Sequence, residues 1–427
     1  MTTITDLSQI LQQLLIEDAN QIGRESGFIQ RERKFNGATF AQSLIFGWQA
    51  NPQASLEELC QSARVSGVTI TPQGLQERVN SEQAHQFLHQ LLVKGLSYLV
   101  QVECERDDLL SAFTGVYIQD SSRIELPESL ACYWQGNGEA CATLKLQTVL
   151  DYCRGSLDIT LANGRAHDCP LQTIDLPKGS LRLADLGYFK ADVFKTLSQE
   201  GCWWVSRLPV RAGIWQDDKV ISTLSWLKQA PNREIDQLVE ITAKRLPCRL
   251  LAIPVPEEVA EARRKRVREA ARTRRKSTLQ EETLTLCDWT ILVTNLPSTY
   301  SADEILCFQR LRWQIELLFK LWKQELSVDK WRTKNSHQIL TEIYAKLLLA
   351  LIQHWLLLLG CWEEADRSLV KATKVLRKHA FHILATLREL KLLMNTLELI
   401  LPTLARCTIQ KRKTHPATHQ LLARPSP

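Results

Sequence analysis

The sequence predicts an α+β (α/β) protein, a mixed sheet flanked by helices and set between helical N- and C-terminal regions. Three observations carry this expectation. Residues 1–110 hold helix-start signals and apolar residues at helical spacing, residues 114–209 and 289–297 hold short β-like runs, and from residue 302 to about 401 the pattern is helical again. With 427 residues, 44% of them hydrophobic, the chain has room for about three domains with filled cores.

In the N-terminal region Ser55 and Glu58 form a capping-box pattern before Leu59, and Thr71 followed by Pro72 reads as an N-cap and first helical residue. Gly67 in VSGVTI supplies a turn between the two. The pair therefore resembles a helix-turn-helix whose second helix presents Gln73, Gln76, Arg78 and Asn80, residue types able to reach base edges. Any two short packed helices share this pattern, and residues 1–110 carry 8 basic against 13 acidic side chains. From residue 114 the segments TGVYIQD, ATLKLQTVLDYC, SLDITLANG, SLRLADLG and CWWVSRLP read as strands, with Asn163-Gly164 as punctuation. A helix is expected from Tyr188 to Gln199. Residues 208–288 show no clear helical period apart from a basic segment, and WTILVTNLP, starting at Trp289, is a further strand. The chain closes with a helix over 302–325, more helices to about residue 401, and a polar tail.

Net charge is only +6, but it is uneven: residues 301–427 hold 20 Lys and Arg against 11 Asp and Glu. A polyanion-binding surface is therefore expected late in the chain. The segment ARRKRVREAARTRRK, residues 262–276, holds nine Lys or Arg and one Glu. It cannot be core. Clustered cations of this kind bind a phosphate backbone, with Arg263, Arg264, Arg266, Arg274 and Arg275 as candidates; the alternative is a solvated surface helix.

Twelve cysteines are scattered without a CxxC pair, which fits reduced, packed thiols in the cytoplasm. His415 and His419 have zinc-ligand spacing, but the intervening Pro416 and polar surroundings argue against ligation. The start, MTTITDLSQILQQLL, lacks a basic leader and cleavage site, so no secretory signal is expected. The apolar run 347–362 is short for a membrane span and is interrupted by Gln353 and His354; a buried helix explains it better.

The run QRLRWQIELLFKLWK, residues 309–323, is expected to lie on a single helix. At helical spacing Gln309, Arg312, Glu316 and Lys323 fall within an arc of about 60° at the edge of an apolar surface. Either this stripe faces a cleft, or Arg312, Glu316, Lys320 and Lys323 are the solvated side of an amphipathic helix.

Two aspartates follow apolar strands: Asp120 after GVYIQ and Asp185 after LRLA. Carboxylates at strand ends are common in α/β sites, although each alone also suits a cap or turn. Together with Glu316 they would give three hard oxygen ligands, suited to Mg²⁺ or Mn²⁺. Two such ions about 4 Å apart stabilise the attacking and leaving oxygens of phosphoryl transfer. Arg312, Lys320 and Lys323 would then hold flanking phosphates.

These residues resemble the bacterial insertion-sequence transposases of the DDE type marked by a Tyr-x2-Arg-x3-Glu-x6-Lys signature. Arg312, Glu316 and Lys323 match at the required spacing, while Gln309 stands at the Tyr position. QDSSRIELP, LKLQTVLDYCRGSL, ADLGYF, WVSRLP, WTILVTNLP and RLRWQIELLFKLWK read like family segments in family order, over roughly residues 20–400. The resemblance implies an RNase H-like core, 111–207 and 289–345, with Asp120, Asp185 and Glu316 as catalytic metal ligands. It implies a mainly β insertion, 208–288, separating Asp185 from Glu316, with a helical region, 1–110, before the core and a helical region with polar tail, 346–427, after it. The implied activity is Mg²⁺-dependent (Mn²⁺ possible) cleavage of transposon ends with two ions per site, followed by attack of the freed 3′-hydroxyl on target DNA. In this subgroup a hairpin forms on the transposon end and a Trp stacks on a flipped base; Trp289 is the candidate by position, with Trp203 and Trp204 as alternatives. Double-stranded DNA is the implied partner, a homodimer in the DNA complex the implied assembly, the bacterial cytoplasm the compartment, and no membrane is involved. The rival readings are a catalytically silent DNA-binding relic and an RNase H-like nuclease.

Overall fold

Strand β1 (Val116–Leu126) begins in one compact unit of the chain and ends in another. The computed structural model describes all residues except 32–33, 104–107, 167–174, 210–211, 217, 228–232, 274–280, 410–421 and 423–427. The His415 and His419 pair and Arg274 and Arg275 therefore lie outside the described residues.

The first unit comprises residues 1–105, 121–166 and 314–419. Its N-terminal part is helical as expected. Ser55 and Glu58 form the full capping box of the helix Leu56–Val65, and Thr71 caps Pro72–Val79 with Pro72 in the first turn. The turn between these helices uses Gly67 at φ +82, a left-handed conformation that favours glycine. Strands β2 (Ala142–Asp151) and β3 (Leu157–Asn163) pair antiparallel, and β2 neighbours β1. The apolar run 347–362 falls within a 26-residue helix, Ser336–Cys361, long and apolar enough to cross a membrane; almost all of it is buried inside the unit. It packs against the helices Glu82–Leu96, Gly37–Ala50 and Leu390–Ala405.

That helix carries a buried ion pair. The Lys346 amine donates to Glu342 Oε1 at 2.6 Å and to the carbonyls of Ser327 and Lys330 at 3.1 and 2.8 Å, and lies 5.7 Å from the Trp48 ring centroid. Burial pushes the lysine amine down and the glutamate carboxyl up, while each partner opposes the shift of the other. The pair fixes the turn after the helix Trp313–Glu325.

The second unit comprises residues 106–120, 167–313 and 420–427. Its strands are β1, β4 (Leu181–Ala184), β5 (Trp203–Arg207), β6 (Ile214–Gln216), β7 (Lys219–Ile221), β8 (Ile235–Ile241), β9 (Leu246–Pro254) and β10 (Trp289–Thr294). Their order is β1-β4-β5-β10-β9-β8-β6-β7. The sheet is mixed: β1, β4 and β5 run parallel, and the pairings β5-β10, β10-β9, β9-β8, β8-β6 and β6-β7 are antiparallel. This mixed sheet with flanking helices is compatible with an RNase H-like α+β fold. Residues 208–288 thus contribute four strands, and β9 joins them directly to β10 rather than to a separate sheet. They also hold the helices Thr223–Leu227, Glu257–Thr273 and Glu281–Thr285, so the segment is not purely β. Phe194, Trp204, Trp226, Leu250, Trp289 and Val293 belong to the apolar cluster under this part of the sheet.

Two local expectations are corrected. Asp120 does not end its strand: Ser122, Ile124 and Leu126 continue the buried positions while Arg123 and Glu125 stay exposed, so the two-residue period runs on through polar residues. The helix expected over 302–325 is divided into Ala302–Leu311 and Trp313–Glu325, with Arg312 between them. Arg312 itself keeps right-handed helical angles (φ −51, ψ −30), so the interruption is a single residue wide.

Replacing Lys346 by Met is expected to lower stability by about 3 kcal/mol in urea unfolding, because it strands a buried carboxylate and two carbonyls; adding Glu342→Leu should recover most of the loss. A pH effect follows from the same unit. His85 is buried against His337, with ring centroids 5.2 Å apart, and burial, helped by the His337 and His89 rings, lowers its pKa to about 4. The folded state holds this ring neutral and the unfolded chain, at about 6.5, does not. Its contribution is therefore present above pH 6.5 and lost as pH falls toward 4. Melting temperature followed from pH 7 to pH 4 should fall less steeply in a His85→Phe variant.

Candidate active site

Asp120 and Asp185 meet because β4 ends level with Asp120 of its parallel neighbour β1. The β1–β4 register pairs Val116 with Leu181, Tyr117 with Arg182, Ile118 with Leu183 and Gln119 with Ala184. One step further on stand Asp120 and Asp185. Although β1 continues past Asp120, its parallel partner ends there, so both carboxylates stand at the carboxyl end of the parallel pair. Asp185 holds the N-cap position of the single turn Leu186–Tyr188, yet its side chain makes no capping hydrogen bond. The cap explanation for this aspartate does not hold.

Both carboxylates instead approach one guanidinium. Arg312 Nη1 donates to Asp120 Oδ2 at 3.3 Å, and Arg312 Nε lies 4.0 Å from Asp185 Oδ1. The arginine side chain is only 11% exposed. The solvated-face alternative therefore fails for Arg312; Gln309, one turn earlier, is buried as well. Among the described residues neither atom of the Gln309 amide has a hydrogen-bond partner. A buried amide of this kind carries a desolvation cost.

On the other side of the sheet from the aspartates, Arg182 donates to Gln119 Oε1 through Nη2 at 2.5 Å and Nε at 3.2 Å. Both side chains are buried, and the Arg182 guanidinium lies 6.0 Å from the Phe194 ring centroid. Reading the sequence for candidate sites had not singled out this pair; the polar residues inside otherwise aliphatic strands were the available signal.

The remaining candidates separate clearly. Glu316 and Lys323 belong to the first unit, on the helix Trp313–Glu325, with Glu316 half-buried in its first turn. The Lys323 amine donates to the Arg123 carbonyl of β1 at 2.8 Å, and Lys320 is exposed. Trp289 is only 9% exposed and lies in the apolar cluster, and Trp204 is fully buried against Phe194, so neither presents a ring face for stacking; Trp203 is half-buried. Among the described residues the exposed indole is Trp313, at 46%, directly after Arg312, a residue the sequence had not singled out.

In the basic helix Arg263 turns inward, donating to the Trp289 carbonyl at 2.9 Å and to Thr290 Oγ1 at 3.0 Å. Arg264 pairs with Glu257, Glu261 and Asp288. These two arginines brace the helix against β10 and its approach; Lys265, Arg266, Arg268 and Arg272 are the outward cations.

Asp120 and Asp185 offer only carboxylate oxygens, a donor set that fits a hard divalent cation such as Mg²⁺ or Mn²⁺. Among the described residues no three Asp, Glu, His or Cys side chains form a cluster able to hold a metal. The described cysteines are all free thiols, and none of the ten is a candidate here.

The chain is similar to known proteins over most of its length. A family model described as a transposase DDE domain matches residues 111–352, a span that takes in Asp120, Asp185, Arg312, Glu316 and Lys323. The transposase of insertion sequence IS231F from Bacillus thuringiensis subsp. israelensis is 26% identical over 365 residues, covering 78% of this chain and 75% of its own length. That of IS231C from B. thuringiensis subsp. berliner is 26% identical over 360 residues, with 78% and 75% covered. That of IS1151 from Clostridium perfringens is 24% identical over 369 residues, with 79% and 77% covered.

Removing the shared cation should weaken the compensation of two carboxylates held close together. Arg312→Gln is therefore expected to cost about 1–2 kcal/mol, a discounted figure because Asp185 is partly exposed, and to lower the melting temperature in EDTA by a few degrees. Added Mn²⁺ should restore more stability to the variant than to the wild type in the same thermal scan. An unchanged melting temperature in EDTA would remove the compensating role.

Proposed function

The chain belongs to the family of transposase DDE domains, and on that premise we propose that it cuts the ends of its insertion sequence and joins the freed 3′-hydroxyl to target DNA at a site built on Asp120, Asp185 and Glu316. It is a DNA transposase, an enzyme of metal-dependent strand cleavage and strand transfer. The observation that carries the site assignment is the meeting of Asp120 and Asp185 at the ends of adjacent parallel strands around one guanidinium.

Divalent cations, when bound, supply charge stabilisation to the attacking and leaving oxygens of an in-line displacement at phosphorus. In this reading there are two, Mg²⁺ with Mn²⁺ able to replace it, held by Asp120 and Asp185 with Glu316 as the third carboxylate. Arg312 compensates the aspartates in the free protein and turns to a DNA phosphate in the complex. Lys320 takes a flanking phosphate as an exposed cation. Lys323, bonded to the Arg123 carbonyl, anchors its helix to β1 and lends positive charge to the same strand. Gln309 holds the position where the signature has tyrosine and offers an amide donor in its place.

Exposed Gln73 and Gln76, on the second helix of the N-terminal pair, are proposed to read base edges of the terminal repeat. The outward cations of the basic helix add sequence-independent attraction to duplex DNA. Two ends must be cut and joined together, so the working form is proposed to be a homodimer on DNA, in the bacterial cytoplasm at the nucleoid.

Glu316→Gln tests the site. With duplexes carrying the element's own ends and Mg²⁺, cleavage should fall about a thousandfold or more, some 4 kcal/mol of barrier, while gel-shift affinity for the ends is kept. Undiminished cleavage would sink the assignment. Equal cleavage of duplexes without terminal repeats would instead favour the general nuclease.

A further inference from the structure

We propose that Gln119 and Arg182 are positioning residues that lock β1 and β4 in the one register that sets Asp120 beside Asp185. The inference rests on the site assignment above and adds the means by which the fold holds it.

The β1–β4 ladder is short, with four residue pairs. On the face that carries the aspartates, the paired residues are Val116 and Ile118 against Leu181 and Leu183, all fully buried aliphatics. Sliding β4 by two residues would keep every side chain on its own face and would retain one aliphatic pair, Val116 with Leu183 or Ile118 with Leu181, while setting one aspartate level with an aliphatic residue. With only two aliphatic pairs in register, hydrophobic patterning on this face leaves part of the register choice to the other face. Such a slip would move Asp185 about 6.6 Å along the strand from Asp120, beyond the reach of one guanidinium or one shared cation.

The other face breaks the tie. Arg182 is in register with Tyr117, but its side chain leans along the strand to Gln119, two residues on, and places two N–H groups on Oε1. Sliding β4 away from Gln119 would draw a buried guanidinium off its acceptor, which is costly in a desolvated place. Sliding it the other way would set Arg182 directly opposite Gln119, where the extended side chain overshoots the amide. Phe194, from the helix Ala191–Gln199, lies against the guanidinium and holds its extended conformation. A polar pair on one face of the sheet thus fixes the spacing of the carboxylates on the other.

The test uses the full chain and Mn²⁺ alone as probe, titrated by calorimetry, with thermal melting of each variant alongside. Replacing both residues by Met fills the space with side chains of similar length and should leave a cooperative melt while weakening Mn²⁺ binding by about tenfold or more. Wild-type Mn²⁺ affinity in the folded Met pair overturns the proposal. Where the Met pair does not fold, Arg182→Lys decides: it keeps the cation and one hydrogen bond, so a severalfold loss of affinity with an unchanged melt supports the register lock, and an unchanged affinity overturns it. Asp185→Asn separates the two readings. If that variant binds Mn²⁺ as the wild type does, the carboxylate site itself is wrong, whatever the register variants show.

Discussion

Two carboxylates at the end of a parallel strand pair need a cation, and in this protein Arg312 is the one they share. The rest of the second unit can be understood as what makes that arrangement possible. Strand β4 must end level with Asp120 of the continuing β1, Asp185 must leave its capping role unused, and the helix Ala302–Leu311 must end where its next residue can reach both aspartates. Close together, two such carboxylates repel. A guanidinium between them offsets that repulsion. A group held in this way is ready to exchange one cation for another.

The helix that carries Glu316 is secured at its opposite end. Its last turn exposes carbonyls with no helical partner, and side-chain cations occupy that region. Arg377 donates to the Glu325 carbonyl at 2.7 Å and approaches its carboxylate at 3.3 Å, while Lys346 holds the carbonyls of Ser327 and Lys330 just beyond. Ser327 takes the left-handed conformation at φ +52, a strained choice for a residue with a Cβ that the buried lysine makes tolerable. Lys323 adds a tie to β1. The helix is pinned over its last turn, which leaves the acidic first turn with a fixed direction.

Features governed by local chemistry were legible in the sequence. Ser55 with Glu58, and Thr71 with Pro72, named two helix starts because capping is settled within four residues. The strands at 181–184 and 289–294 stood out as short apolar runs, and Asp185 was placed at its strand end. Other features depended on partners far along the chain. Asp120 looked terminal because two serines follow it, yet Ser122 is buried and the strand alternates onward. The break at Arg312 has no proline or glycine to announce it, and the two aspartates beside that residue are distant in sequence. Trp289 matched a family segment by position, but whether an indole faces solvent is decided by what packs on it, and here that is a core of tryptophans and leucines. Gln119 and Arg182 read as ordinary polar interruptions until the register brought them together.

The basic helix Glu257–Thr273 carries a final consequence. It holds six Lys or Arg against four Glu, and Arg263 is taken up by β10 and Arg264 by three carboxylates, so four cations turn outward: Lys265, Arg266, Arg268 and Arg272. In the DNA contact proposed above, each phosphate neutralised would release roughly 0.9 of a condensed counterion, and these four would give a salt slope of about −3.6 on logarithmic axes. A contact of that size would hold duplex DNA loosely at physiological ionic strength and let the protein slide and dissociate, leaving residence time to be set by whichever surface reads bases.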